Sequence, residues 1–159
     1  MIRHEHPGDQ TVIAAIHRTA LGEDEAALVD ALRQTKDAAM SLVAERCHTV
    51  VGHLLFSRLR APMRALALAP LSVLPDYQRQ GIGSDLVKTG LDQAVKDGWE
   101  AVFVLGEPAF YARFGFDLEA ARAFCCPYSG GGFMVLQLGS KPLPTSGEII
   151  YPSPFRMFG

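Results

Sequence analysis

Between Leu71 and Gly83 the chain passes from an apolar strand, through a basic turn bearing glycine, into an amphipathic helix, and few folds accommodate that succession. The strand Leu71-Ser72-Val73-Leu74 stops at Pro75-Asp76, and Ile82, Leu86, Val87, Leu91, Ala94 and Val95 then recur on one helical face. From Gln78 through Arg79, Gln80, Gly81, Ile82 and Gly83 to Ser84, two glycines remove Cβ atoms that would hold an anion off the backbone. Successive N–H groups can therefore converge on a diphosphate, and the helix aims the positive end of its dipole at the same place. A pyrophosphate-bearing cofactor is the expected occupant.

Two familiar glycine loops do not fit. A P-loop needs lysine directly after its last glycine, and none follows Gly83 until Lys88. A dinucleotide fingerprint would put glycine where Leu86 stands, and Glu100 precedes the next apolar strand instead of ending it. What remains is Gln78-x-x-Gly81-x-Gly83 after an apolar strand. It resembles the [Q/R]-x-x-G-x-[G/A] acetyl-CoA loop of the GNAT superfamily, the GCN5-related N-acetyltransferases. A second landmark lies one helix downstream, where Ala101-Val102-Phe103-Val104-Leu105 runs into Gly106-Glu107-Pro108-Ala109-Phe110-Tyr111 and then Phe114-Gly115-Phe116. A buried strand, a short helix with a tyrosine and a Gly-Phe step are similar to the YhbS-type bacterial branch of that superfamily. The resemblance extends from about Met40 to Leu138.

That resemblance implies an α/β (α+β) GNAT fold, with a mixed, mostly antiparallel sheet flanked by helices and splayed into a V at the acetyl-CoA site. It implies acetyl-CoA as cosubstrate and an N-acetyltransferase activity on a primary amine, by direct attack in a ternary complex. Leu71 and Val73 are carried over as main-chain contacts to the pantetheine arm, with Ser72 between them in the cofactor-binding set, and Gln78 to Ser84 as the diphosphate loop. The Arg79 side chain stands between a contact to the cofactor's 3′-phosphate and a solvated basic turn. Tyr111 is carried over as general acid to the departing thiolate; its competing reading is a core tyrosine among Phe110 and Phe114. Arg113 is read as a structural cation. Glu107, His53 and Glu45 are candidate bases, each with a structural reading as a loop acid, a bulge histidine or an exposed strand carboxylate, and none is assigned. The chain contains no asparagine, so the asparagine that some relatives place after the central strand is replaced by Gly106-Glu107-Pro108. The other functional class is a CoA-binding regulatory or structural module without turnover; an interaction protein using its tail has little support.

At 159 residues the chain reads as a single domain over 1–159, with 140–159 a loop and extended C-terminal tail. Apolar residues make up 48%, charged residues 20%, and the formal charge is −2, with no basic block to bind nucleic acid or an anionic membrane. No apolar run reaches the roughly 18 residues of a membrane span and Met1 to His6 lacks a signal-like apolar region, so a soluble, cytoplasmic protein is expected. Cys47, Cys125 and Cys126 form no even framework and suit a reduced compartment, with the adjacent pair read as small residues of a late strand or loop. His4 and His6 would share a strand face without further ligands, so no metal is expected. A small-molecule or peptide amine is the expected partner, and a homodimer is left open.

Along the chain, Ile2 to His6 reads as a first strand and Asp9 as the cap of a helix carrying Val12, Ile13, Ile16 and Ala20. Glu23-Asp24-Glu25 opens a second helix with Leu28, Val29 and Leu32 inward. Ser41 to Glu45 and Val50 to Ser57 read as a hairpin around Arg46 to Thr49, and Arg64 to Leu74 as a third strand made irregular by Pro70. Val102 to Leu105 reads as a strand buried on both faces and Phe133 to Leu138 as a late strand. Between these two, Ser129 to Gly132 reads as a flexible turn. Tyr151 and Phe155 are expected to pack on the domain.

Overall fold

The computed structural model describes residues 1–158. Its elements are β1 (Ile2–His4), α1 (Gln10–Ala20), α2 (Glu23–Gln34), β2 (Ala38–Arg46), β3 (Thr49–Arg58), β4 (Ala65–Val73), α3 (Ile82–Lys96), β5 (Ala101–Leu105), α4 (Pro108–Tyr111), α5 (Leu118–Ala121), β6 (Phe124–Cys125), β7 (Phe133–Gln137) and β8 (Gly147–Glu148). Strands are hydrogen-bonded in the order β1-β2-β3-β4-β5-β7, with β6 and β8 as a separate parallel pair. The β1–β2, β2–β3 and β5–β7 pairs are antiparallel and β4–β5 is parallel, which bears out the mixed, mostly antiparallel sheet. The contacts divide the chain into two compact units, Met1–Ser57 with Ala69–Gly90, and Arg58–Leu68 with Leu91–Gly159.

In the first unit β2 and β3 form the expected hairpin. Its two-residue turn is Cys47-His48, both at positive φ, 50° and 64°, the geometry that matches the twist of the flanking strands. Strand periodicity then sorts β3 between two helical layers. Leu54 and Phe56 lie against Gly90 of α3, while His53 points the other way and meets His17 of α1. The apolar stripes of α1 and α2 bury Ile13, Ile16, Leu28, Val29 and Leu32.

Several local expectations change. The first strand ends at His4, because Pro7 opens a 3₁₀ turn over Pro7–Asp9. Asp9 stands at the N-cap of α1, yet its carboxylate does not cap that helix: Oδ2 accepts from the His6 N–H at 2.7 Å and from Arg3 Nη1 at 2.8 Å. On α3, Val95 is 47% exposed, one residue past the stripe that ends in buried Ala94. Pro70 within β4 follows a cis peptide bond.

In the second unit β4 pairs with β5 through Ala65, Leu66 and Ala67, and β5 with β7 over its whole length. Ala101 to Val104 are buried as expected of a central strand, whereas Leu105 at its end is 51% exposed. The C-terminal residues pack as expected: Tyr151 meets the rings of Tyr128 and Phe155, and Tyr128 Oη donates to the Phe155 carbonyl at 2.8 Å. The segment is not extended throughout, since Ser153–Phe158 coils into a 3₁₀ turn and Gly147–Glu148 pairs with β6.

Candidate active site

β4 delivers the chain into the glycine loop through a 3₁₀ turn over Pro75–Tyr77. Two backbone conformations then bend the loop: Arg79 at φ 64° and Gly81 at φ 84°. The left-handed region costs a residue with a Cβ roughly 1–2 kcal/mol, so glycine at 81 removes that cost where the loop turns into α3. A Cβ built on Gly81 would meet no protein atom within 4 Å, so the glycine keeps a surface open instead of relieving a clash. The first intrahelical bond of α3 runs from the Asp85 N–H to the Gly81 carbonyl at 2.9 Å. The N–H groups of Ile82 and Gly83 precede it in the first turn, where a helix has no acceptor of its own to offer its backbone donors.

The loop side chains brace the backbone. Gln78 Nε2 donates to the Val73 carbonyl at 2.9 Å, so this residue ties the loop to the end of β4. Gln80 Oε1 accepts from Arg46 Nη1 at 3.3 Å. The Leu74 N–H donates to the Val51 carbonyl at 2.8 Å, anchoring the strand end to β3.

Beneath that strand end lies a chain of polar side chains in the apolar core. Ser72 Oγ is 2.7 Å from His17 Nδ1, His17 Nε2 is 2.7 Å from His53 Nδ1, and His53 Nε2 is 2.7 Å from Ser41 Oγ. Ser41 Oγ donates in turn to Glu5 Oε1, which also accepts from Arg33 Nη2 at 2.8 Å, while Glu5 Oε2 accepts from Arg33 Nε at 3.1 Å. Ser72, His17 and His53 are buried. Burial holds the His17 pKa down to about 4, with the Arg33 charge acting in the same sense. Burial, then His17 and Arg33, hold His53 well below the ordinary histidine value. Both imidazoles are neutral at pH 7.

In the other unit Tyr111 ends α4, which Glu107 caps by accepting from the Ala109 N–H at 3.4 Å. Its ring sits 4.9 Å from Phe110 and 5.7 Å from Phe116. The ring also lies over the backbone at Gly106, where a Cβ would come within 2.6 Å of it. Burial pushes the Tyr111 phenol up to about 12, so the hydroxyl keeps its proton at neutral pH. Arg113 stacks on Phe110 at 4.7 Å and donates to its carbonyl, the structural role expected of it.

The sequence profile of the Acetyltransferase (GNAT) family matches residues 10–116. N-acetyltransferase YhbS of Escherichia coli K12 is 35% identical over 166 residues, covering 99% of both chains. The chain belongs to the acetyltransferase (GNAT) family. The crystal structure of the E. coli GNAT-family YhbS in complex with CoA superposes with a TM-score of 0.91 at 34% identity, covering 100% of this chain and 93% of that one. A GNAT-family acetyltransferase of Brucella melitensis in complex with acetyl-CoA gives 0.82 at 32% identity, covering 98% and 97%.

Within this GNAT chain, Leu71, Ser72 and Val73 occupy the last three positions of β4, and Gln78 to Ser84 the loop and first turn of α3. Those residues share one unit; Tyr111 belongs to the other. Of the three candidate bases, Glu107 serves as a helix cap and Glu45 accepts from Arg3 Nε at 2.6 Å. His53 is no bulge histidine: it pairs in register with Val43, and the irregularities of the β2–β3 ladder fall between Ala38 and Met40 and between Ala44 and Glu45, the second leaving Val51 of β3 out of register. The sequence reading missed His17, Ser41 and Glu5. The available signal was a histidine one residue past Ile16, inside the apolar stripe of α1.

Proposed function

We propose that this protein transfers the acetyl group of acetyl-CoA to a primary amine by direct attack in a ternary complex. The observation that carries the reading is the open, glycine-bent loop at the start of α3, in a chain similar over nearly its full length to CoA-bound and acetyl-CoA-bound relatives. The loop from Gln78 to Ser84 would hold the diphosphate on the N–H groups that follow Gln78, whose own N–H goes to the Pro75 carbonyl at 3.3 Å, because backbone donors at a helix start favour an anion without a dedicated lysine. Main-chain groups of Leu71 and Val73, on either side of Ser72, would pair with the pantetheine arm as an added strand would, and a backbone N–H near Val73 would polarise the thioester carbonyl. Tyr111, protonated at neutral pH, would donate to the departing thiolate.

Thermal unfolding gives the first test. A ligand that binds only the folded chain stabilises it by RT ln(1 + [L]/Kd), about 2.7 kcal/mol at a hundredfold excess over Kd. Acetyl-CoA and CoA should raise Tm, and NAD and ATP should not; equal shifts from all of them would remove the assignment. Thiol release with a panel of primary amines distinguishes a transferase from a CoA-holding module.

Gly81→Val locates the phosphate site. It puts a branched side chain at φ 84° onto the open side of the loop, so the CoA-induced rise in Tm should be lost while the far-UV spectrum stays native. A variant with normal CoA protection would move the diphosphate elsewhere.

A further inference from the structure

We propose that Ser72 Oγ is an acceptor-only hydroxyl that takes an N–H of the acceptor amine, its direction imposed from Glu5 through Ser41, His53 and His17. The inference deepens the amine-acetylation reading and rests on it. Its basis is the polarity of a hydrogen-bonded chain whose five members all belong to one unit.

That polarity is fixed at the outer end. The Glu5 carboxylate, facing Arg33 and Ser41, can only accept. Ser41 spends its one hydrogen on Glu5 and has only lone pairs left for His53 Nε2, so that nitrogen carries the hydrogen. A neutral imidazole carries just one; His53 Nδ1 is therefore bare and accepts from His17 Nε2–H. The same rule leaves His17 Nδ1 bare, and it accepts the Ser72 O–H. Ser72, with its hydrogen committed inward, has lone pairs alone to offer a ligand.

An attacking amine needs such a group. It must point its own lone pair at the thioester carbon while its N–H bonds find acceptors, and a fixed acceptor beside the reacting carbonyl favours that orientation. An acceptor-only hydroxyl also repels the thioester oxygen, so it does not compete for the carbonyl. Ser72 lies between Leu71 and Val73, the residues proposed to run beside the pantetheine arm. No bond is broken by this step: the chain orients the amine and keeps all its protons. His17, His53, Ser41 and Glu5 are positioning residues acting through Ser72.

The composition of the core supports the assignment. Polar groups removed from water cost stability unless every one is satisfied, and apolar side chains would fill this volume without that condition. Here each link is satisfied in one direction: His17 and His53 are wholly buried, Ser72 keeps 4% exposure at the inner end, and Ser41 and Glu5 are half-buried at the outer end. The other charged groups bearing on the pair are Arg33, bound to Glu5 and Asp30, and Asp9, bound to Arg3.

Nitrogen-15 NMR of histidine-labelled full-length protein at about pH 7.5, where an unperturbed histidine is already neutral, reads the chain directly. Both buried imidazoles should be Nε2-protonated. Glu5→Gln supplies an amide that can donate to Ser41, so Nδ1-protonated forms should appear, whereas Asp24→Asn should leave the tautomers unchanged. An Nδ1–H on either buried ring of the unsubstituted protein would overturn the polarity. Methylamine, added with CoA in mildly alkaline solution, should shift the His17 Nδ1 resonance in the unsubstituted protein and in Ser72→Thr, but not in Ser72→Ala. The absence of any shift in the unsubstituted protein would overturn the contact with amine. Tautomers are read without ligand and CoA binding by Tm, so loss of CoA protection with the tautomers intact would instead sink the acetyl-transfer reading.

Discussion

Acidification from about pH 7 to about pH 4 should lower the unfolding free energy by roughly 3 kcal/mol from His17 alone. His17 titrates near 6.5 when the chain is unfolded and near 4 when it is folded. Between those values the unfolded state takes up a proton that the folded state refuses, so stability falls as pH drops through that window. Above about pH 6.5 both states are neutral and the contribution is flat. His53 acts in the same direction, because burial and its neighbours His17 and Arg33 disfavour its charged form. Asp9 differs: the Arg3 hydrogen bond holds its carboxyl down to about 2, so its stabilising contribution persists above the ordinary carboxylate range and is lost only as pH falls toward 2. A loss already visible at pH 5 is therefore the signature of the histidine pair. Against a typical domain stability of about 5–15 kcal/mol, roughly 3 kcal/mol is a large fraction. Urea midpoints at a series of pH values measure it. A curve flat down to pH 4.5 would contradict the buried, neutral pair. His17→Gln retains a hydrogen-bonding side chain without its ionisation and should make the curve shallower, leaving the part that buried His53 contributes.

The parts that the sequence made legible are those governed by local rules. The loop at Gln78 to Ser84 could be read because glycine, a strand and a helical stripe succeed one another within a short stretch. The hairpin at Cys47-His48 announced itself through two β-rich runs around a polar connection. The histidine chain was not legible, because its members come from the residue after β1 and from α1, β2, β3 and β4, and meet only after the sheet has been assembled. Even His53, considered as a base, could not be paired with His17 by spacing. Gly106 shows the same limit: its position was read as a missing asparagine contact, whereas the structure gives it a steric purpose under the Tyr111 ring. Asp9 looked like an N-cap by position, and a guanidinium six residues before it took the carboxylate instead.

Tyr111→Phe should lower turnover by roughly 10²–10⁴-fold, the range for loss of a positioned general acid, with the loss in kcat and not in acetyl-CoA binding. The substitution removes one oxygen and leaves the ring against Phe110 and Phe116, so Tm and its rise with CoA should change little. Burial raises the phenol to about 12, so the acid stays protonated across neutral pH and kcat should have no alkaline limb from Tyr111 below about pH 10. Gly106→Ala separates position from chemistry. Its new methyl would stand 2.6 Å from the Tyr111 ring if nothing moved, so the ring must tilt, and activity should fall although the hydroxyl is still present. CoA can leave as a thiolate and water can supply a proton, which makes the size of the Tyr111→Phe effect decisive. With an amine found by thiol release, under conditions where chemistry limits the rate, a loss below about tenfold would assign Tyr111 to cofactor positioning. Unchanged activity would return the residue to the aromatic core and leave the thiolate to be protonated by solvent.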